Sequence, residues 1–106
     1  MNKKTTDLLT EIENGSVPSF NELMQLLDDD TWNQLNEDDR AYVGDVAQGY
    51  YWFLADYHEG QTSERYKQLS IISREYTPGH SESGPEPETR GADVYNVLAV
   101  GEVDES

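Results

Sequence analysis

The chain has 106 residues, close to the usual size of one domain and too short for two independent cores, so we expect residues 1–106 to form a single domain. It contains no cysteine, which excludes disulfides, thiolate zinc sites and a cysteine nucleophile. Acidic residues outnumber basic ones by 22 to 7, and the formal net charge of −15 repels phosphate backbones and anionic lipid surfaces. No apolar run matches a signal peptide or a membrane span, so we expect a cytoplasmic protein without a membrane partner.

The first part of the chain predicts two helices. Apolar residues on one face indicate a helix over residues 5–13 that ends at Gly15. Ser19 and Glu22 have the spacing of a capping box, in which each side chain binds the other residue's backbone N–H at a helix start. A short second helix follows, and we expect it to end at three adjacent carboxylates, which are unfavourable at a helix C-terminus: Asp28, Asp29 and Asp30.

A third helix has the strongest periodicity in the chain. Trp32 and Leu35 are expected to turn the connection back onto the core, and Asn36 is the expected N-cap. Three carboxylates then occupy the first turn, where the helix dipole favours negative charge: Glu37, Asp38 and Asp39. Apolar residues repeat at three- and four-residue spacing: Tyr42, Val43, Val46, Ala47, Tyr50, Phe53, Leu54 and Tyr57. Gly44 and Gly49 within the helix predict either close approach of a neighbouring helix or a bend.

Residues 61–76 fit two patterns. Thr62 or Ser63 followed by acidic and basic residues is typical of a helix start, and apolar residues after it keep helical spacing. The run from Leu69 to Ser73 also suits a strand, because it is rich in β-branched and aliphatic residues. We therefore predict a helical start that gives way to a strand near Leu69.

The last third of the chain predicts a loop, a strand and a tail. Residues 77–91 hold three prolines among mostly polar residues and are expected to form a flexible loop. Residues 92–100 are rich in Val, Leu and Tyr and predict a strand. Residues 102–106 are expected to be a frayed tail. The predicted core therefore covers about residues 5–76 and 92–101.

The predicted fold class is α+β. Three N-terminal helices are followed by a two-stranded β-hairpin with a long flexible loop, which is the layout of a winged helix-turn-helix. Other α+β arrangements fit the same order of elements equally well.

A loose motif runs through about residues 8–67: Phe20, Leu23, Trp32, Arg40, Gly44, Gly60, Gln61, Thr62, Ser63 and Tyr66. It resembles a family of short, uncharacterised bacterial and phage domains of helix-turn-helix character. The resemblance implies that fold, and with it DNA binding. The family carries basic residues around the third helix, whereas this chain has carboxylates there: Asp38, Asp39, Asp45 and Asp56. DNA binding therefore does not follow from the resemblance.

The sequence lacks the spacings that catalysis or metal binding requires. Carboxylate pairs lie at turns and helix starts, where water keeps them ionised. Three carboxylates occupy positions 1, 3 and 12 of an EF-hand-length loop: Asp28, Asp30 and Asp39. Trp32 and Asn33 stand where a ligand and the turn glycine are needed, and His58 and His80 form no metal-binding spacing. We therefore expect no enzyme, no metal or other cofactor and no small-molecule substrate.

Aromatic residues in the third helix are the other candidate for function. Four consecutive residues on a helix point in all directions, so Tyr50 to Phe53 are either covered on both sides within the domain, or Tyr51 or Trp52 stays exposed to anchor a partner. Adding the acidic connection gives a candidate partner-binding set: Asp28, Asp29, Asp30, Trp32, Glu37, Asp38, Asp39, Asp45, Tyr51 and Trp52.

Acidity, small size and the missing active site predict a non-enzymatic module that binds a basic protein surface. One form is a phage or mobile-element inhibitor that acts as a DNA mimic, its carboxylates replacing phosphates. A plainer interpretation is that the acidity only confers solubility. Two further alternatives are a winged-helix transcriptional regulator with a positive strip of Arg65, Lys67 and Arg74, and a homodimer formed through exposed aromatic residues. Nucleic acid is disfavoured as a partner by the net charge, and the sequence leaves both monomer and homodimer open.

Overall fold

The computed structural model describes residues 3–57, 64–77 and 90–101. All regular secondary structure in these ranges is helical. The helices are α1 (Lys3–Glu13), α2 (Phe20–Leu26), α3 (Asp29–Trp32), α4 (Glu37–Tyr57), α5 (Glu64–Tyr76) and α6 (Arg90–Ala99). Their buried hydrophobic residues form one cluster, to which α1, α2, α4, α5 and α6 all contribute. Helix α4 contacts α1, α2, α5 and α6, so it is the central element.

The predicted end of the first helix and start of the second are confirmed, whereas α1 begins at Lys3, two residues before the predicted start. Gly15 has a positive φ of 102°, and its N–H donates to the carbonyl of Ile12 at 3.0 Å, which ends α1. The capping box at the start of α2 is complete. The Ser19 N–H donates to Glu22 Oε1 at 2.9 Å, and the Glu22 N–H donates to Ser19 Oγ at 3.2 Å.

A short helix, α3, occupies the connection that we expected only to end α2. Asp28 is its N-cap residue, and Asp29 and Asp30 lie in its first turn. Carboxylates at this end of a helix face the positive end of its dipole, so the same three charges that are unfavourable after α2 are favourable before α3. The predicted N-cap of the next helix is confirmed, because the Asp39 N–H donates to Asn36 Oδ1 at 2.8 Å.

Helix α4 is covered on most of its circumference. Its buried residues occupy consecutive positions from Val46 to Leu54, as expected for a helix inside a core. The Tyr50 hydroxyl donates to the Pro18 carbonyl at 2.7 Å, which satisfies a polar group at the centre. Both glycines lie where neighbouring chain comes close. A Cβ at Gly44 would lie 2.9 Å from Tyr76 Cβ, and one at Gly49 would lie 2.6 Å from the Gly91 carbonyl oxygen, so close approach is the correct interpretation.

The strand predicted from Leu69 is wrong, because α5 continues unbroken to Tyr76. Its buried positions are Leu69, Ser70 and Ser73, a helical spacing, and Ile71 is 54% exposed. In a strand, Leu69, Ile71 and Ser73 would share one face. Packing of one face of α5 against α4 therefore outweighs the β preference of these residues. The predicted helix start near Thr62 lies outside the described residues.

The strand predicted over 92–100 is also wrong, because this segment forms most of α6. Its buried residues are Gly91, Ala92, Val94 and Leu98, which again follow helical spacing. Arg90 and Gly91, which we placed in the flexible loop, begin this helix. Residues 78–89 of that loop and the predicted tail at 102–106 lie outside the described ranges.

The predicted α+β class is therefore wrong, and so is the winged-helix layout that depended on it. The described part of the chain is an all-helical arrangement around α4, without a strand or hairpin. The predicted third helix is α4, and its start and end at Glu37 and Tyr57 agree with the sequence pattern. Since the winged-helix regulator needed the hairpin as its wing, that alternative falls with the fold class.

Candidate protein-binding surface

Two helix starts carry the predicted acidic residues. Asp28, Asp29 and Asp30 lie at the start of α3, and the other three lie in the first turn of α4: Glu37, Asp38 and Asp39. All are exposed except Asp39, which is half-buried. Their positions follow from the helix dipole, which stabilises negative charge at each start. The sequence therefore correctly predicted charged surface in this part of the chain.

Two of these carboxylates, Asp38 and Asp28, line grooves, and the two grooves are different. Asp38 and Asp45 line one groove of about 580 Å³ together with Glu13, Ala41 and Tyr42. We call this the acidic groove. Asp28 lines a different groove of about 620 Å³, whose other residues are polar or weakly apolar: Thr5, Asn21, Met24, Gln25 and Thr31. The acidic groove is the one that concentrates negative charge.

Glu13 is a groove residue that sequence reasoning missed. It is the last residue of α1, and the packing of α1 on α4 brings it beside Asp38 and Asp39. A hydrogen bond with Asp39 raises the pKa of Glu13, and the negative charges of Asp39 and Asp38 raise it further. No local motif identifies Glu13, because its neighbours in the groove are 25 or more positions away along the chain.

Tyr42 is a second residue whose role the sequence did not predict. We placed it on the buried face of the third helix, but it is 40% exposed and lines the acidic groove. The guanidinium of Arg90 lies over its ring at 6.0 Å from the centroid. Tyr42 lies in the second turn of α4, before the stretch that the other helices enclose. An exposed tyrosine bordered by carboxylates combines apolar contact area with negative charge.

Asp45 has a structural role as well as a place in the groove. Its Oδ1 accepts the backbone N–H of Gly91 at 3.1 Å and lies 3.4 Å from the donor Nε2 of Gln48. It therefore caps the first turn of α6 from the neighbouring helix. Burial raises the pKa of Asp45, and the hydrogen bond from Gly91 and the charge of Arg90 partly oppose that rise.

Asp45→Ala is expected to lower the free energy of unfolding by about 1–2 kcal/mol, because the Gly91 N–H loses its acceptor. Asp45→Asn keeps a side-chain oxygen at the same place and is expected to cost less than half as much. Urea denaturation followed by circular dichroism measures both, with exposed Asp7→Ala as the control for a lost charge. Equal losses for the alanine and asparagine variants would contradict the capping role.

Protonation of Glu13 and Asp45 is expected to raise stability as the pH falls through their folded pKa values, which lie above the ordinary values of 4.5 and 3.8, and the gain is complete below those ordinary values. Glu13 and Asp45 both have raised pKa values, so each carboxyl binds its proton more tightly in the folded protein than in the unfolded chain. Their stabilising contribution is fully present below the pKa that each carboxyl has in the unfolded chain. It is lost as the pH rises through the pKa of the same carboxyl in the folded protein. Thermal unfolding of wild type and of Glu13→Gln/Asp45→Asn measures it. If the stability of the two proteins changes equally with pH, neither carboxyl is responsible for that change.

Trp32 is held by its neighbours and is not a free anchor. It is half-buried, and its ring meets Tyr76 edge-on with centroids 4.9 Å apart. Arg40 lies over the same ring at 5.3 Å and donates from Nε and Nη2 to the Trp32 carbonyl at 3.3 and 3.0 Å. Trp32 thus joins α3 to α4 and α5, and Leu35 beside it is buried as expected.

Tyr51 and Trp52 lie in the core and are not available as surface anchors. They are 4% and 3% exposed, respectively. The Tyr51 ring packs on Tyr66 of α5 with centroids 4.8 Å apart, and Trp52 lies beside Gly91 of α6. Helices α5 and α6 cover two sides of α4, which leaves no outward side for this aromatic run. The interpretation that both sides are covered within the domain is correct, and a homodimer through Tyr51 and Trp52 loses its basis.

The positive strip proposed for Arg65, Lys67 and Arg74 does not form. On one continuous helix, Lys67 and Arg74 lie about 20° apart, whereas Arg65 lies roughly 160° or more from both. Arg65 turns towards α2, where its guanidinium lies over the Phe20 ring at 4.7 Å. Lys67 pairs with Glu64 at 3.7 Å. The described part of α5 therefore presents two basic residues on one face instead of three.

Two arginines use their donors on backbone carbonyls near the acidic residues. Arg40 donates to the Trp32 carbonyl, and Arg90 donates to the Ile12 and Glu13 carbonyls at the end of α1. These contacts stabilise helix C-termini, where carbonyls lack partners. Arg90 thereby places positive charge beside the acidic groove while its guanidinium donors remain engaged with main chain.

Within the described ranges, no three Asp, Glu or His side chains lie close enough together to hold a metal ion. No helix in those ranges is both long enough and apolar enough to cross a membrane. No protein-family model, curated protein or solved structure matches the chain. The resemblance to helix-turn-helix domains over residues 8–67 therefore stays a prediction.

Proposed function

We propose that this protein is a non-enzymatic module that binds a basic protein surface through the acidic groove. The observation that carries the proposal is the meeting of Glu13 with Asp38 and Asp39 beside the exposed ring of Tyr42. Carboxylates held this close repel one another, and a partner's lysine or arginine side chains relieve that repulsion. The groove is therefore complementary to a cationic surface.

The whole-chain charge supports the same kind of partner. A net charge of −15 on 106 residues attracts cationic proteins at long range and accelerates their encounter. Tyr42 adds an aromatic contact of the type that anchors interfaces. The partner that best fits this chemistry is a nucleic-acid-binding surface, in which lysines and arginines are spaced to meet phosphates. The protein would then act as an inhibitor, with carboxylates taking the place of phosphates.

Affinity capture tests the proposal. The immobilised protein is incubated with cell lysate at about 50 mM and about 200 mM salt, and the retained proteins are identified by mass spectrometry. We expect a basic nucleic-acid-binding protein that is retained more strongly at the lower salt concentration. Added duplex DNA should then release it by competition. Recovery of no basic protein at either salt concentration, or a captured protein that DNA does not displace, would count against a DNA mimic.

A further inference from the structure

The outward face of α5 carries a short stripe that the acidic groove does not involve. Lys67, Ile71 and Glu75 are spaced four residues apart and all three are exposed. Ile71 is 54% exposed, although it is a large aliphatic residue in the middle of a helix. The opposite face of α5, with Leu69 and Ser73, is the one buried against the core. Among the described residues, the stripe is therefore a helix face that no other helix covers, with an apolar centre and a charge at each end.

The charge of α5 sets it apart from the other described helices. It has three basic and two acidic residues, whereas none of the other helices has more basic than acidic residues. Two copies of a chain with net charge −15 repel each other over most of their surface. They repel less where the local charge is balanced, as it is between Lys67 and Glu75 on this face. Salt near physiological strength screens the more distant carboxylates beyond about 8 Å.

We propose that two copies of this chain associate through α5, packed antiparallel about a two-fold axis at Ile71. In that arrangement, a residue a given number of positions before Ile71 faces one the same number after it in the second copy. Lys67, four positions before, then faces Glu75, four positions after. Symmetry repeats this ion pair on the other side of the axis, and the two Ile71 side chains meet between the pairs. The stripe is thus complementary to itself in both charge and apolar contact.

The size of the stripe sets the strength of the association. A helix of 13 residues is about 20 Å long, so the interface is smaller than those of stable dimers. The Lys67 ammonium also has an exposed partner within its own helix, Glu64 at 3.7 Å, from which it must turn. We therefore expect a weak dimer, populated at protein concentrations on the order of 1 mM. Raising the salt from a low level should favour it, because screening reduces the repulsion between the two chains.

Charge reversal tests this pairing directly. Sedimentation equilibrium on the full chain at high concentration is expected to show dimer for wild type and at least about tenfold weaker association for Lys67→Glu, which faces Glu75 with a like charge. Lys67→Glu/Glu75→Lys exchanges the two charges and should restore association to the wild-type level. Ile71→Asp should abolish it. All four proteins should keep the same helical circular dichroism, because the altered residues are exposed.

Two results would overturn the proposal. A wild-type protein that stays monomeric at millimolar concentration and moderate salt has no such interface. A dimer that Lys67→Glu and Ile71→Asp leave intact uses another surface. Since the stripe and the acidic groove involve different residues, substitution of Glu13, Asp38 and Asp39 should leave self-association at least as strong. The test is thus independent of whether a basic partner exists.

Discussion

Gly49→Ala is expected to lower the free energy of unfolding by about 1–3 kcal/mol, although alanine is the better helix former by roughly 1 kcal/mol. A Cβ at this position would lie 2.5 Å from Val94 Cβ and 2.6 Å from the Gly91 carbonyl oxygen. Neither atom is at the end of a flexible side chain, so α6 must move away from α4. That movement also weakens the hydrogen bond from Gly91 to Asp45. Urea denaturation followed by circular dichroism measures the loss.

Gly44→Ala provides a graded comparison within the same helix. Its Cβ would lie 2.9 Å from Tyr76 Cβ and 3.1 Å from Thr77 Oγ1, so the required shift is smaller. We expect a smaller loss than at Gly49, or none once the gain in helix propensity is included. An exposed substitution on α6, Asn96→Ala, controls for changes in helix propensity alone. A Gly49→Ala protein that is more stable than wild type would mean that α4 and α6 are farther apart in solution.

Replacing Glu13, Asp38 and Asp39 with Gln, Asn and Asn is expected to weaken binding of the captured basic protein about tenfold at low salt. Each exposed charge pair contributes roughly 0.5 kcal/mol, and three of them together account for about 1.4 kcal/mol, a factor of ten. Most of the loss should appear in the association rate, because these charges also steer the encounter. Surface plasmon resonance at two salt concentrations separates the rates.

A second triple variant has the same net charge as the first but leaves the acidic groove intact. Asp7→Asn, Glu11→Gln and Asp93→Asn remove three exposed carboxylates from the outer faces of α1 and α6. If the groove is the binding surface, this variant should bind nearly as well as wild type. Equal weakening by both variants would mean that total charge governs binding. In that case, the acidity has no directed site, and solubility is the simpler explanation.

Helix starts, helix stops and the course of α1, α2 and α4 follow largely from local chemistry, whereas the short helix α3 was not predicted. The capping box at Ser19 and Glu22, the Asn36 cap and the left-handed glycine at Gly15 each depend on neighbouring residues, so the sequence predicts them correctly. The apolar repeat of α4 likewise predicts that most of the apolar residues of this helix are buried. The same local reasoning located the acidic turns, because carboxylates favour the first turn of a helix.

Whether the C-terminal part forms helices or strands was decided by tertiary packing. Residues from Leu69 to Ser73 and from 92 to 100 have the composition of strands, and their burial against α4 at helical spacing holds them as helices instead. The close approach at Gly49 and Gly91, with Asp45 capping α6, is formed by residues more than 40 positions apart.

The acidity is determined by the sequence alone, since a charge of −15 holds for any fold of this composition. Where that charge acts is determined only by the tertiary structure. Packing of α1 on α4 brings Glu13 to Asp38 and Asp39, separates them from the carboxylates of α3, and buries Tyr51 and Trp52 while leaving Tyr42 at the surface. The physical reason is that electrostatic repulsion and burial depend on distances in space, which spacing along the chain does not report.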